Sequence, residues 1–109
     1  MKKLLLFGGV LLALATVESI AADGKADYER ACAKCHGKDG RGQTKMGRRT
    51  GAKDYTDPKV QEAVTDNAAF KAVKEGFKDK HGKVLMKPAD DMNDEAIRAV
   101  VAYMRTFKK

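Results

Sequence analysis

The run Cys32-Ala33-Lys34-Cys35-His36 decides how the rest of the chain is read. Two thiols three residues apart lie about one turn of helix from each other, so both can reach one edge of a planar macrocycle. The residue that follows is then carried beneath the ring. Cys-x-x-Cys-His is for that reason the attachment signal of a c-type haem, in which each thiol forms a thioether to a vinyl group and His36 offers an imidazole nitrogen to iron as the proximal ligand. Rival chemistries fit these five residues less well. A thioredoxin-like dithiol requires a preceding strand and alternating strands and helices, and neither pattern is present. Zinc needs four ligands, and the only other histidine, His81, adds one nitrogen without a second paired motif. A Cys32–Cys35 disulfide would close a very small loop and leave His36 unexplained.

Outward from the motif, residues 24–33 read as a short helix, with Tyr28, Ala31 and Cys32 on one face. It delivers the cysteines. Gly37, Gly40 and Gly42 then mark a loop that needs positive backbone torsions or close approach to the ring. Residues 44–56 show no sustained period and are expected to be loop. Asp57-Pro58 is a good helix opening, with Asp as cap and Pro at the first position, so a helix is predicted over 58–63. A second opens at Thr65 or Asp66, with Phe70, Val73 and Phe77 on one side and Gly76 as its break. Residues 78–91 are again expected to be loop. The clearest helix follows: Asn93 as cap, Asp94 and Glu95 in the first turn, Arg105 near the end, and Ile97, Val100, Val101 and Met104 at spacings of three and four. Nothing in the pattern suggests a strand, so the fold class is all-α.

The chain has 109 residues, enough for one domain, and part of that length is expected to be a leader. Lys2 and Lys3 precede an apolar run over residues 4–17, and Ser19 and Ala21 supply the small residues of a cleavage site. Fourteen apolar residues fall short of the ~20 that span a bilayer, so residues 1–21 are expected to be a cleaved secretory signal rather than a retained anchor. The remaining domain, 22–109, would hold about 88 residues with no stable membrane insertion, exported to the periplasm. Export agrees with the motif, because haem is attached to apoprotein thiols on the far side of a membrane.

The formal charge is +7, and removal of the leader leaves 20 basic against 14 acidic residues, or +6. Such a charge favours docking onto acidic surfaces and makes association sensitive to salt. Nucleic-acid binding is not expected, since acids are interleaved with the bases and no recognition motif is present. A chain this small needs a staple for its core. With no Trp and seven aromatic residues in total, haem would serve as that staple.

Three stretches together resemble class I cytochrome c: residues 24–37 its N-terminal helix and haem motif, Met86-Lys-Pro-Ala its axial methionine loop, and residues 93–107 its C-terminal helix. The resemblance covers essentially the whole of 22–109. It implies a single domain of about four helices wrapped around one haem c bound through Cys32 and Cys35. It further implies that the first and last helices cross with Gly24 against Tyr103, and that Met86 is the second axial ligand. Independently, a soft thioether on a loop beside a proline suits that position, and His/Met ligation raises the reduction potential. Met92 and Met104 are expected in the core, and Met46 falls too early in the chain for the distal position. The sequence departs from the family in two respects, the loop after the motif and the absence of tryptophan. The loop after the motif has no proline whose carbonyl could accept from the proximal histidine, the only prolines being Pro58 and Pro88, so His36 must find another acceptor. Family members often hold a haem propionate with Trp or Tyr, which makes Tyr55 the candidate, with Arg48 or Arg49 beside it.

The function so implied is that of a soluble monomeric carrier, not an enzyme, which passes single electrons between redox partners with acidic docking surfaces. Two alternatives keep the haem: a cytochrome subunit of a larger dehydrogenase, and a ligand-binding or sensory haem protein.

Overall fold

A computed structural model describes residues 17–109, with side chains from residue 20. Residues 1–16, most of the expected leader, lie outside the described residues. The element order is α1 (Val17–Ala31), α2 (Ala33–His36), α3 (Lys45–Thr50), α4 (Pro58–Ala63), α5 (Asp66–Glu75), β1 (Phe77–Lys78), β2 (Val84–Met86) and α6 (Asp94–Arg105). Among the described residues no helix is long and apolar enough to cross a membrane.

Helix α6 forms where its sequence requires it. The Asn93 side chain accepts from Ala96 N at 2.8 Å, Asp94 and Glu95 occupy the first turn, and Arg105 the last. Its stripe of Ile97, Val100, Val101 and Met104 is buried, each side chain contributing roughly 1.5–3 kcal/mol. Helix α1 packs along this stripe. At Gly24 the backbones come so close that a Cβ would sit 2.0 Å from the Ala99 carbonyl oxygen. Gly24 thus lies directly on the Ala99–Val100 backbone. Tyr103, one turn further along α6, packs with Tyr28 and Phe107, each pair of rings 5.2 Å apart.

The two middle helices match their predicted ends. Asp57 caps α4 through Lys59 N at 2.9 Å, and Thr65 caps α5 through Ala68 N at 3.1 Å. Gly76, at φ 78°, closes α5. Ala69 and Val73 of α5 join Met92 and the α6 stripe in the core.

Two expected loops contain regular structure. Residues 45–50, read as loop, form α3, because the Thr44 hydroxyl accepts from Gly47 N at 2.8 Å and so caps a turn that has no apolar period of its own. The other is a short antiparallel hairpin within residues 77–86, with Phe77 opposite Met86, Lys78 opposite Val84 and an irregularity between them. Strands of two and three residues are too short to show an alternation. Their turn is held by the Asp79 carboxylate, which accepts from His81 N at 2.8 Å and Lys83 N at 2.9 Å. Phe77 accordingly stands beyond the end of α5, 56% exposed, and does not share a buried face with Phe70 and Val73. The fold remains all-α in class, with six helices in the described residues instead of about four.

Candidate functional site

Helix α1 ends into the motif without a break in its hydrogen bonding. Cys32 N donates to Tyr28 O at 2.8 Å, and the Cys32 carbonyl accepts from Cys35 N at 3.3 Å and His36 N at 3.0 Å. The two thiols thus stand one helical turn apart, and both are free. The backbone around them is tied on three sides. Tyr28 donates its phenolic proton to Gly37 O at 2.7 Å, Thr44 donates to Cys35 O at 2.7 Å, and Gly42 N donates to His36 O at 2.8 Å. Helix α3 presses on the same turn. A Cβ at Gly47 would lie 2.3 Å from Cys35 O and 2.4 Å from Gly42 O, which is why glycine stands inside a helix there.

Facing this turn is a cavity of about 930 Å³, whose walls include Cys32, Cys35, His36, Tyr55, Val73 and Met86. Cofactor sites fall in the range of ~300–1,000 Å³ and are mostly apolar with a few placed polar groups. The cavity opens to solvent past the exposed Phe77 and Val84, and its largely apolar lining suits a large apolar group. Burial lowers the His36 pKa, which favours the neutral imidazole that can bind a metal. Burial pushes the Cys32 thiol up to about 11, with Arg30 pulling the other way. His36 Nδ1 is sealed from solvent and has no hydrogen-bond partner, alone in this among the buried side-chain polar atoms of the described residues. Two thiols on one turn, a neutral imidazole beside them and an apolar cavity in front fit a porphyrin attached by thioethers.

The sequence-predicted residues are brought together with two exceptions. Cys32, Cys35, His36, Met86 and Tyr55 all line the cavity. Arg48 and Arg49 are exposed on α3 and are not among its walls. Met92 and Met104 are buried at 9% and 7% exposure, as expected of core, and both also line the cavity. Met46 also reaches the cavity, from the helix packed on the His36 turn. His81 is exposed on the hairpin turn.

Two residues of consequence were not anticipated. Gln61, 5% exposed, donates from Nε2 to Tyr55 O at 2.7 Å and to Met104 O at 3.1 Å. Arg105 donates to Gln61 O at 2.7 Å, to Gln61 Oε1 at 2.8 Å, to the Val64 carbonyl and to Asp66 at 2.9 Å. Together they fasten the wall that carries Tyr55 to α6. A glutamine in a six-residue polar helix carries no such signal in sequence.

The family model for cytochrome c matches residues 21–108. Among solved structures, the c-type cytochrome KustC0563 aligns with a TM-score of 0.70 at 31% identity, over 80% of this chain and 99% of that one. A mutant of that protein, with one tyrosine replaced by phenylalanine, gives 0.67 and 29% over 79% and 99%. The sequence finds no match among curated proteins.

Proposed function

We propose that this chain, which belongs to the cytochrome c family and accordingly binds haem covalently and transfers electrons, is an exported one-electron carrier with His36 and Met86 as its iron ligands. The observation that carries the reading is that one largely apolar cavity is lined by both motif cysteines and by His36; of the four methionines that also line it, Met46, Met86, Met92 and Met104, the one on the strand beside Pro88 is Met86. The bound haem supplies the Fe(III)/Fe(II) couple. The protein residues do the rest. Cys32 and Cys35 hold the group by one edge, His36 offers a neutral nitrogen, and Met86 offers a thioether from the end of β2. The apolar walls exclude water, which keeps charge on the iron costly and favours the reduced form.

A carrier needs a face for its partners. Phe77 and Val84 stand 56% and 48% exposed at the cavity mouth, which Lys34, Lys53, Lys71 and Lys87 also line. Exposed apolar side chains on a lining whose four lysines outnumber its two acids, Glu75 and Asp91, on a chain of formal charge +7, suit a redox protein with an acidic surface. Export rests on the leader reading of residues 1–21.

Titration of the holoprotein with a one-electron mediator is expected to follow a single one-electron transition, and the reduced form is expected to leave carbon monoxide unbound. Immediate carbon monoxide binding would show an open iron position and replace the carrier by a ligand-binding haem protein.

A further inference from the structure

A proximal histidine usually donates its second ring N–H to a carbonyl, which fixes the plane of the imidazole. Here that nitrogen, His36 Nδ1, is buried without a partner, and the loop from residue 37 to 57 contains no proline. Something else must fix the ring. An aromatic ring packed against it is that of Tyr55, whose centroid lies 5.2 Å from that of His36 with 31° between the planes. That separation is within the ~4.5–7 Å over which aromatic rings attract.

Tyr55 is unusually well anchored for a loop residue. Its N–H donates to Gly40 O at 2.8 Å, and its carbonyl accepts from the buried Gln61 amide at 2.7 Å. Gln61 is held in turn by Met104 O at 3.1 Å and by the Arg105 guanidinium at 2.8 Å. A continuous set of short polar contacts thus runs from α6 through Gln61 to the backbone of Tyr55, whose ring lies against His36. We infer that Tyr55, anchored by Gln61, is a positioning residue for the proximal imidazole, and that it acts through the face of its ring in place of the missing hydrogen bond.

The inference rests on His36 being an iron ligand, and it differs from a propionate role for Tyr55, which would need the hydroxyl. The test uses ferric holoprotein and reads the haem-methyl hyperfine shifts, whose order follows the orientation of the axial imidazole. Tyr55→Phe keeps the ring and is expected to preserve that order. Tyr55→Leu removes the ring and is expected to change it, along with the reduction potential, while the covalent haem stays in place. Gln61→Met leaves the ring but cuts its tether, and is expected to move the shifts in the same sense by less. It decides the matter if Tyr55→Leu yields no holoprotein. Unchanged shifts in both Tyr55→Leu and Gln61→Met would overturn the inference, as would a Tyr55→Phe change as large as that of Tyr55→Leu, which would assign the role to the hydroxyl. If His36→Ala left the unmutated protein's shift pattern intact, the ligand reading would fall as well.

Discussion

Replacement of Gly24 by alanine sets two physical effects of opposite sign against each other. Alanine in a helix is favoured over glycine by up to ~1 kcal/mol, so propensity alone predicts a more stable protein. The packing predicts the reverse. A Cβ at residue 24 would lie 2.0 Å from Ala99 O, 2.3 Å from Ala99 C and 2.7 Å from Val100 N, where ordinary contact begins at 3.4 Å. All three atoms are helix backbone, so no side chain can rotate away, and α1 must retreat from α6 by about 1.4 Å. That retreat loosens the contacts of Ile97 and Val100, which are 1% and 3% exposed. Overpacking of this kind typically costs ~1–3 kcal/mol, and backbone targets place this site at or above the upper end. Less the propensity gain, the expected loss is about 2 kcal/mol, or ~8–16 °C in Tm at ~4–8 °C per kcal/mol. Thermal unfolding of the holoprotein by far-UV circular dichroism measures it. Ala26→Gly, at an exposed site on the same helix, calibrates the propensity effect. A Gly24→Ala protein as stable as the parent, or more so, would refute the close crossing of α1 and α6.

Met86→Ala should abolish the weak sulfur-to-iron charge-transfer band of the oxidised protein and lower the reduction potential, since the thioether favours Fe(II). Met92→Ala, in the core at 9% exposure, should keep the band and cost ~2–5 kcal/mol, and the reverse pattern would move the ligand to residue 92. Electron-transfer rates with an acidic partner should fall as salt rises through the range where exposed charges are screened over ~8–10 Å, while the haem spectrum stays constant; rates indifferent to salt would leave the lysines as solubilising residues. Thr56 donates two hydrogen bonds to the Asp54 carboxylate, at 2.6 Å from Oγ1 and 2.9 Å from N, and these hold its pKa below the ordinary value. A depressed folded pKa gives stability that is present above the ordinary ~3.9 and lost as pH falls through that value towards the folded one. Asp54→Asn should therefore flatten the loss of stability with acid below about pH 4, as followed by denaturant titration at a series of pH values.

What could be read from the sequence was local in origin. Cys-x-x-Cys-His carries its geometry within five residues, and the caps Asp57, Thr65 and Asn93 each act on an N–H two or three residues away. The α6 stripe is legible because twelve residues hold three turns of one period. What could not be read depends on contacts across the chain. Helix α3 looked like loop because Gly47 counts against a helix by propensity, and the reason for glycine lies in the Cys35 and Gly42 carbonyls it must approach. The hairpin was hidden because its stability comes from the Asp79 turn and not from alternating strands.

Arg105 marks the same boundary within one residue. As the basic residue of the last helical turn it was read correctly as a partner for the helix dipole. Its larger part is non-local: one guanidinium joins the Gln61 and Val64 carbonyls and the Asp66 carboxylate, residues about forty positions away. A surface ion pair with Asp66 alone would contribute at most ~1 kcal/mol, but the carbonyls it satisfies belong to the segment that fixes Tyr55 beside His36. The charge visible in the sequence at the end of α6 is thus also what closes the cavity wall, and only the path of the chain between residues 55 and 66 reveals it.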